Sequence, residues 1–397
     1  MTSTETNTKS WGARWVVPVD QPPLENACLI EQDGLIVSIE PGGRASADQD
    51  LGEVAITPML VNAHTHLEFS GLTQPLGQPN QPITDWIPEV IRWRSQQTPE
   101  QIQAAIAHGI KQSIAFGVNC LGEIATSNWL ADFGSLDEHF HLCWFLERLG
   151  SDPSVANARI QEAQDWLAGL PMETLGSQCQ AAISPHAPYS LCQELFEGLI
   201  EWSVARNLPV AMHLAESREE LQWLESGAGP FQDFYDLLPV PAPKRFANSP
   251  LQFLQALTKT PNALVVHGNY LSEEEIRFIG RHDHLHLVYC PRTHQYFGHD
   301  RWPLESAIQH GVNVCVGTDS LASNPDLDLM AELKLIQAKF PNVPPQTIFE
   351  MGTINGARAL QFDSHLGSLT AGKLARFLTF ELKNPQELWP SIFDGVR

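Results

Sequence analysis

Eight short apolar runs recur through the middle of this 397-residue chain. They are Ile56 to Val61, Val118 to Ile124, Phe140 to Phe145, Gln180 to Ser184, Val210 to Leu214, Ala263 to Val266, Leu285 to Tyr289 and Val312 to Val316. Runs this short and this continuously apolar suit strands buried on both faces, which is the situation of a parallel sheet covered by helices. Helical patterns between them, at Pro99 to Phe116, Glu194 to Arg206, Glu273 to His282 and Asp328 to Phe340, supply the crossovers. Eight such units predict an α/β fold, a (β/α)8 TIM barrel over residues 58–365. Its chemistry should lie where the strands exit, at their C-terminal ends.

The two ends of the chain differ from the middle. Short β-type runs at Arg14 to Val17, Ala27 to Gln32 and Leu35 to Glu40 are separated by turn signals at Asp33-Gly34 and Pro41-Gly42-Gly43. The same character returns at Gly367 to Leu369 and Leu374 to Leu382. Residues 11–57 and 366–397 are therefore expected to pair as a small accessory β-sandwich. Residues 1–10, polar and rich in Thr and Ser, are expected to be a disordered tail.

Composition narrows the partners. With 43% hydrophobic and 18% charged residues the chain has ample material for a large core. Acidic residues outnumber basic ones 46 to 24, a net charge of -22, and no Lys/Arg cluster is dense enough to follow a phosphate backbone, so nucleic acid is not an expected partner. No stretch approaches the roughly 18 to 20 apolar residues of a membrane span, and no signal-like segment opens the chain. A cytoplasmic protein without a membrane partner is expected. The seven cysteines form no C-x-x-C pair and mostly sit inside apolar runs, which excludes a disulfide framework.

Polar groups stand at the strand exits: His64 and His66, Glu123, Glu147, His186, His213, His267, Arg292 and Asp319. Residues i and i+2 of a strand share a face, so His64 and His66 can aim two imidazoles at one metal ion. Alone, a His-x-His pair is weak evidence. Four histidine-bearing strand ends and an aspartate, all at one end of the same barrel, point to a metal site. Glu216 lies three residues beyond His213, so a strand ending near Leu214 would let its carboxyl swing back over that site and shuttle protons. The competing reading makes Glu216 a cap for the helix that opens with Glu219 and Glu220. Asp319, after Val316-Gly317-Thr318, offers a carboxylate that can ligate a metal and accept a proton from water. His267 is either a fourth imidazole ligand or a partner of the water and of the developing oxyanion.

These residues fall within a set of motifs: Val61 to Glu68 (VNAHTHLE), Ser184 to Tyr189 (SPHAPY), His213 to Ser217 (HLAES), Val266-His267-Gly268, Cys290-Pro291-Arg292 and Gly317 to Asn324 (GTDSLASN). In this the chain resembles the amidohydrolase superfamily, in the branch of cytosine, guanine, S-adenosylhomocysteine and aminodeoxyfutalosine deaminases and triazine chlorohydrolases. The resemblance implies that His64, His66, His213 and Asp319 bind one divalent metal ion, zinc or iron. It makes Glu216 the proton shuttle and His267 the group that orients the nucleophile, with Asp319 sharing in catalysis. His186 stands where the dinuclear branches carry a bridging lysine, which implies a mononuclear site with His186 facing the substrate.

Within the branch, HTHLEFS, HLAES followed by Gly227 to Phe231, and TDSLASNPDLDL most resemble aminodeoxyfutalosine deaminases. Two departures stand out: Cys290-Pro291-Arg292-Thr293-His294 where Cys-Pro-Arg-Ser-Asn is usual, and Ala375-Arg376-Phe377 where Ala-Asp-Leu is usual. The first falls on the expected pocket rim, with Arg148, Glu147, Arg292, Ser320 and His294 as further candidates for substrate contact. The aromatic and Pro-rich stretch from Gly227 to Pro250 is either a lid or wall over the site or a surface excursion packing its own rings. The implied activity is hydrolytic deamination of an amino-substituted heterocycle, an adenosine-like nucleoside such as aminodeoxyfutalosine. Chlorohydrolase and guanine- or cytosine-type deaminase chemistry are the alternatives on the same site, and a non-catalytic assembly protein is a third reading that the full ligand set disfavours. The expected partner is a small heterocyclic molecule, with a homodimer left open.

Overall fold

Hairpin chemistry builds the first sheet. β1 (Thr8–Val16) and β2 (Leu24–Gln32) pair antiparallel, and β2 turns into β3 (Leu35–Glu40) through Asp33 and Gly34. Both turn residues have positive φ, 54° and 85°, the conformation that two-residue hairpins need. β4 (Gln49–Asp50) and β5 (Val54–Pro58) lie parallel to β1, and β14 (Phe377–Glu381) pairs antiparallel with β5. The order is β14-β5-β1-β2-β3, with β4 beside β1. The termini do pair, but as one continuous six-stranded sheet, because β1 bonds along both edges, where two packed sheets were expected. Its apolar face holds Ala13, Val16, Ala27, Leu29, Ile36, Ile56 and Leu369.

This computed structural model describes residues 7–129, 140–170 and 176–394. Thr8 to Ser10, expected in the tail, are strand residues opposite Ile30 to Gln32; residues 1–6 lie outside the described residues. Two compact units emerge, Met1–Val61 with Leu333–Arg397, and Asn62–Glu332. Helices Pro345–Met351 and Ile354–Ala359 group with the N-terminal strands: the Val61 amide donates to Gly352 O at 2.8 Å, and a Cβ at Gly356 would lie 2.9 Å from Val61.

The apolar runs become the barrel: β6 (Leu60–Thr65), β7 (Val118–Ala125), β8 (His141–Arg148), β9 (Cys179–Pro185), β10 (Val210–Leu214), β11 (Ala263–His267), β12 (Leu285–Tyr289) and β13 (Asn313–Val316). They follow one another around an eight-stranded sheet in chain order, as β/α units of one hand dictate. Every residue of β6, β7, β8, β10, β11 and β12 is buried, which is why each reads as a continuous apolar run. A parallel bridge between Thr65 and Asp319 brings the exits of the first and last strands together. Residue 317 must be glycine for this closure, since a Cβ there would stand 2.8 Å from both Cβ and O of His64.

Two helices start at capping boxes, Thr98/Gln101 before Pro99–Ala115 and Ser272/Glu275 before Glu273–Ile279. A helix not anticipated, Ile83–Ser95, contains Pro88. All seven cysteines are free and buried. Among the described residues, no helix is long and apolar enough to cross a membrane.

Candidate active site at the barrel mouth

Four imidazoles and a carboxylate converge where the strands exit. Ring centroids of His64 and His66 lie 4.9 Å apart, and His213 stands 5.0 Å and 5.5 Å from them. His267, ending β11, is 5.7 Å from His64 and 5.5 Å from His213. Asp319 Oδ1 approaches His66 Nε2 at 3.5 Å and His64 Nε2 at 3.7 Å. Donor atoms of His64, His66 and Asp319, and likewise those of His64, His213 and His267, fall within 4.8 Å of one another.

The backbone is bent to achieve this. Ala215, His267 and Asp319 have φ of 53°, 70° and 56°, a region that residues with a Cβ seldom occupy and that tends to mark functional sites. Each bend is held by hydrogen bonds. Trp302 Nε1 donates to His267 O at 2.8 Å, the Asp319 amide donates to His64 O at 3.1 Å, and Thr65 Oγ1 donates to Asp319 O at 3.0 Å. The amides of Ala215 and Glu216 donate to the Glu220 carboxylate at 2.7 Å and 3.0 Å, and Ser217 caps helix Arg218–Ser226 by accepting from the Glu220 amide at 3.1 Å. The capping work that competed for Glu216 is thus done by Ser217 and Glu220. The Glu216 carboxyl remains free over the cluster, its Oε1 3.4 Å from His267 Nε2.

Burial sets the charge states. Desolvation pushes His64, His66, His186 and His267 well below the ordinary imidazole range, leaving neutral rings with lone pairs, the form that binds metal. Desolvation, helped by Asp319 and Glu220, pushes Glu216 well above the carboxylate range. Glu147 is pushed up to about 8, again by desolvation first; hydrogen bonds donated by a ligand act in the opposite direction. His64 is 1% exposed and neither ring nitrogen has a hydrogen-bond partner. A buried polar atom left in that state costs about 1–3 kcal/mol, and a metal ion relieves it. Imidazole nitrogens with one carboxylate oxygen are a donor set that suits zinc or ferrous iron, so the residues present fit a divalent ion.

A cavity of about 580 Å³ opens over this cluster. His66, His186, His213, Glu216, His267 and Asp319 form its floor, Glu147 and Ser320 line it, and the exposed apolar residues Ile91, Leu149, Val155 and Val240 surround its mouth. Part of the wall comes from the stretch after Gly227. Helix Pro230–Asp236 stacks Phe231 on Tyr189 at 4.0 Å and donates the Tyr235 hydroxyl to Tyr189 O, while Phe234, Tyr235 and Leu238 face the cavity. That stretch therefore packs its own rings and walls the site at once.

Three expected substrate contacts are not brought to the cavity. Arg292 turns away into a buried network, donating from Nε to Glu332 Oε1 at 2.7 Å and pairing with Asp326 at 2.8 Å. Arg148, although next to Glu147 on β8, points to the opposite face, where its guanidinium lies 4.2 Å above the Trp166 ring. His294 is buried against Tyr289 and His299, with ring centroids at 5.5 Å and 5.4 Å. Other groups were missed. Glu68 binds Arg94 at 2.7 Å and accepts from the Thr126 hydroxyl at 2.6 Å, and both Arg94 and Thr126 line the cavity. Glu68 stood in plain view in the HTHLE motif, but its partner lies on the helix that Pro88 concealed. Glu123, already expected among the strand-exit groups, accepts the Leu67 amide on both oxygens, at 2.9 Å and 3.1 Å, and so holds the turn after His66.

The model of the amidohydrolase family matches residues 55–396. The chain belongs to the amidohydrolase family. This amidohydrolase is similar to a 5-methylthioadenosine/S-adenosylhomocysteine deaminase of Pyrococcus furiosus, 25% identical over 93% of this chain and 85% of the relative. It is similar to an adenosine deaminase of Helicobacter pylori at 29% identity, over 82% of this chain and 78% of that one. Among solved structures, Helicobacter pylori aminofutalosine deaminase in complex with methylthio-coformycin superposes with a TM-score of 0.80 at 24% identity, covering 97% of this amidohydrolase and 95% of that chain. A zinc-bound adenosine deaminase from Xanthomonas campestris superposes with a TM-score of 0.76 at 21% identity, covering 98% and 89%.

Proposed function

We propose that this amidohydrolase is a metal-dependent hydrolytic deaminase releasing ammonia from an amino-substituted heterocycle, with adenosine-like nucleosides as its substrates. His64, His66, His213 and Asp319 would hold one divalent ion, zinc in the first instance. Such an ion, when bound, supplies Lewis acidity and lowers the pKa of water toward neutrality. Glu216 takes a proton from the attacking water and delivers it to the ring nitrogen beside the amino-bearing carbon. His267, within 3.4 Å of Glu216, donates to the oxygen as it develops charge, which fixes its orientation. Glu216 and Asp319 then pass the proton that turns the amino group into ammonia.

The observation that carries this reading is the freeing of Glu216: Glu220 and Ser217 satisfy the helix start, and a protonatable carboxyl is left over the imidazole cluster. The nucleoside class is supported by the relatives named for adenosine and its thioether derivatives. The test is ammonia release by zinc- or iron-loaded protein across adenosine, its 5′-thioethers, guanine, cytosine and amino-triazines. Glu216→Gln should keep its metal and lose about 10² to 10⁴ in turnover. Full activity in metal-replete Glu216→Gln, or no ammonia from any of these compounds, refutes the proposal.

A further inference from the structure

Glu147 takes no part in the steps above, yet its side chain lines the cavity and is 5% exposed. Its Oε1 is fully buried and has no hydrogen-bond partner, a state that calls for an explanation. The charged groups around it are spoken for: Arg94 is bound to Glu68, and Arg148 Nη1 donates to the Glu147 carbonyl, not to its carboxyl. Its two near neighbours, His186 Nε2 and His213 Nδ1, both stand at 3.9 Å, beyond hydrogen-bond reach. His213 Nδ1 is already directed at His186 O, at 3.2 Å.

The tautomer of His186 follows from its other side. Its Nδ1 lies 2.7 Å from Ser190 Oγ, and that hydroxyl donates to Ala187 O at 3.0 Å. A serine hydroxyl has one proton, so His186 Nδ1 is the donor in this pair and Nε2 carries a lone pair. The cavity wall therefore presents two hydrogen-bond acceptors 3.9 Å apart, and among the described residues no group donates to them.

We propose that Glu147 and His186 form a subsite that reads two adjacent hydroxyls of the substrate, the vicinal diol of a sugar. This rests on the nucleoside reading above. Spacing separates the diol from a second amino group. One planar NH₂ donating to two acceptors at about 2.9 Å, its hydrogens spread by about 120°, would set them about 5 Å apart. Two hydroxyls side by side are separate donor atoms and suit the narrower gap.

The test is a cycle between residue and substrate. Metal-loaded wild type, Glu147→Ala and Glu147→Gln are assayed on a ribonucleoside substrate and on its 2′,3′-dideoxy counterpart. Glu147→Ala should lose about 10-fold in kcat/KM on the diol substrate, mostly through KM, which is the upper end for one hydrogen bond to a carboxyl that is not fully ionised. On the dideoxy compound it should lose no more than about twofold, because the bond is already absent. Metal content and thermal midpoint, measured alongside, expose a merely structural effect; should the alanine variant fail to fold, the isosteric Glu147→Gln carries the comparison with a smaller loss. Equal losses on both substrates overturn the subsite and leave the deaminase reading intact. A wild type that releases no ammonia from any nucleoside overturns both.

Discussion

Arg292 offers a prediction whose size can be worked out bond by bond. Glu332 is 0% exposed, and its carboxylate accepts from Arg292 Nε at 2.7 Å, from the Arg292 amide at 2.8 Å and from Asn324 Nδ2 at 2.6 Å. Arg292 Nη2 also donates to the carbonyls of Asp326 and Asp328, both at 3.1 Å. In Arg292→Met the amide and Asn324 bonds survive, while the counter-charge and four side-chain contacts, to Glu332, to the Asp326 carboxylate and to the carbonyls of Asp326 and Asp328, are lost. Removing one partner of a buried ion pair costs about 3–5 kcal/mol, and the two surviving donors place this case near 3 kcal/mol. Urea unfolding of the metal-loaded protein reads that loss directly. Replacing both charges, as Arg292→Met with Glu332→Leu, leaves no orphaned carboxylate but takes the acceptor from the Arg292 amide and from Asn324, so it should recover no more than about 1 kcal/mol of the loss. No Arg292 atom lines the cavity, so KM should stay at the wild-type value. A variant within about 1 kcal/mol of wild type in stability but with KM raised tenfold would refute the reasoning and put Arg292 back on the substrate.

Other outcomes follow from the same geometry. His64→Ala and Asp319→Asn should each abolish metal content, measured by elemental analysis, together with turnover; full metal occupancy in either excludes that residue as a ligand. Gly317→Ala inserts a methyl 2.8 Å from His64 and should lower stability by about 1–3 kcal/mol while weakening metal retention against a chelator. A thermal midpoint and metal retention equal to wild type would show that the seam has slack. Glu220→Ala releases the amides of Ala215 and Glu216, and should lower kcat about tenfold or more with metal content intact; an unchanged kcat removes Glu220 from the positioning of Glu216.

What the chain discloses before folding depends on whether a signal is local. The barrel strands were legible because parallel strands covered on both faces carry no polar alternation to blur them, as in Ala263–His267. Candidate ligands were legible because each ends such a run. Direction was not. Arg148 and Glu147 are adjacent on one strand, so their opposite fates follow from the two-residue period, yet only the register says which faces the cavity. Arg292 sits at a strand exit like the ligands, but its destination is set by Glu332, forty residues away on another helix. The Glu68–Arg94 pair hid behind Pro88, a residue that argues against the helix that carries Arg94. Glu216 and Glu220 are both plausible caps by composition, and three-dimensional closure alone divides the work between them.

The meeting of Thr65 with Asp319 has a consequence for how the protein matures. Between β13 and β6 the described residues show a single bridge and side-chain stitches, Asn62 Nδ2 to Thr318 Oγ1 at 2.8 Å and the Thr318 amide to Asn62 Oδ1 at 3.1 Å, in place of a full ladder. The ring is thus sewn at one seam, by residues among the most distant in the barrel sequence, and such contacts form late. A metal held by His64 and His66 on one side and Asp319 on the other would cross that seam as a rivet. A chain interrupted before Gly317 would carry all four site imidazoles, His64, His66, His213 and His267, but not the Asp319 carboxylate that faces them across the seam.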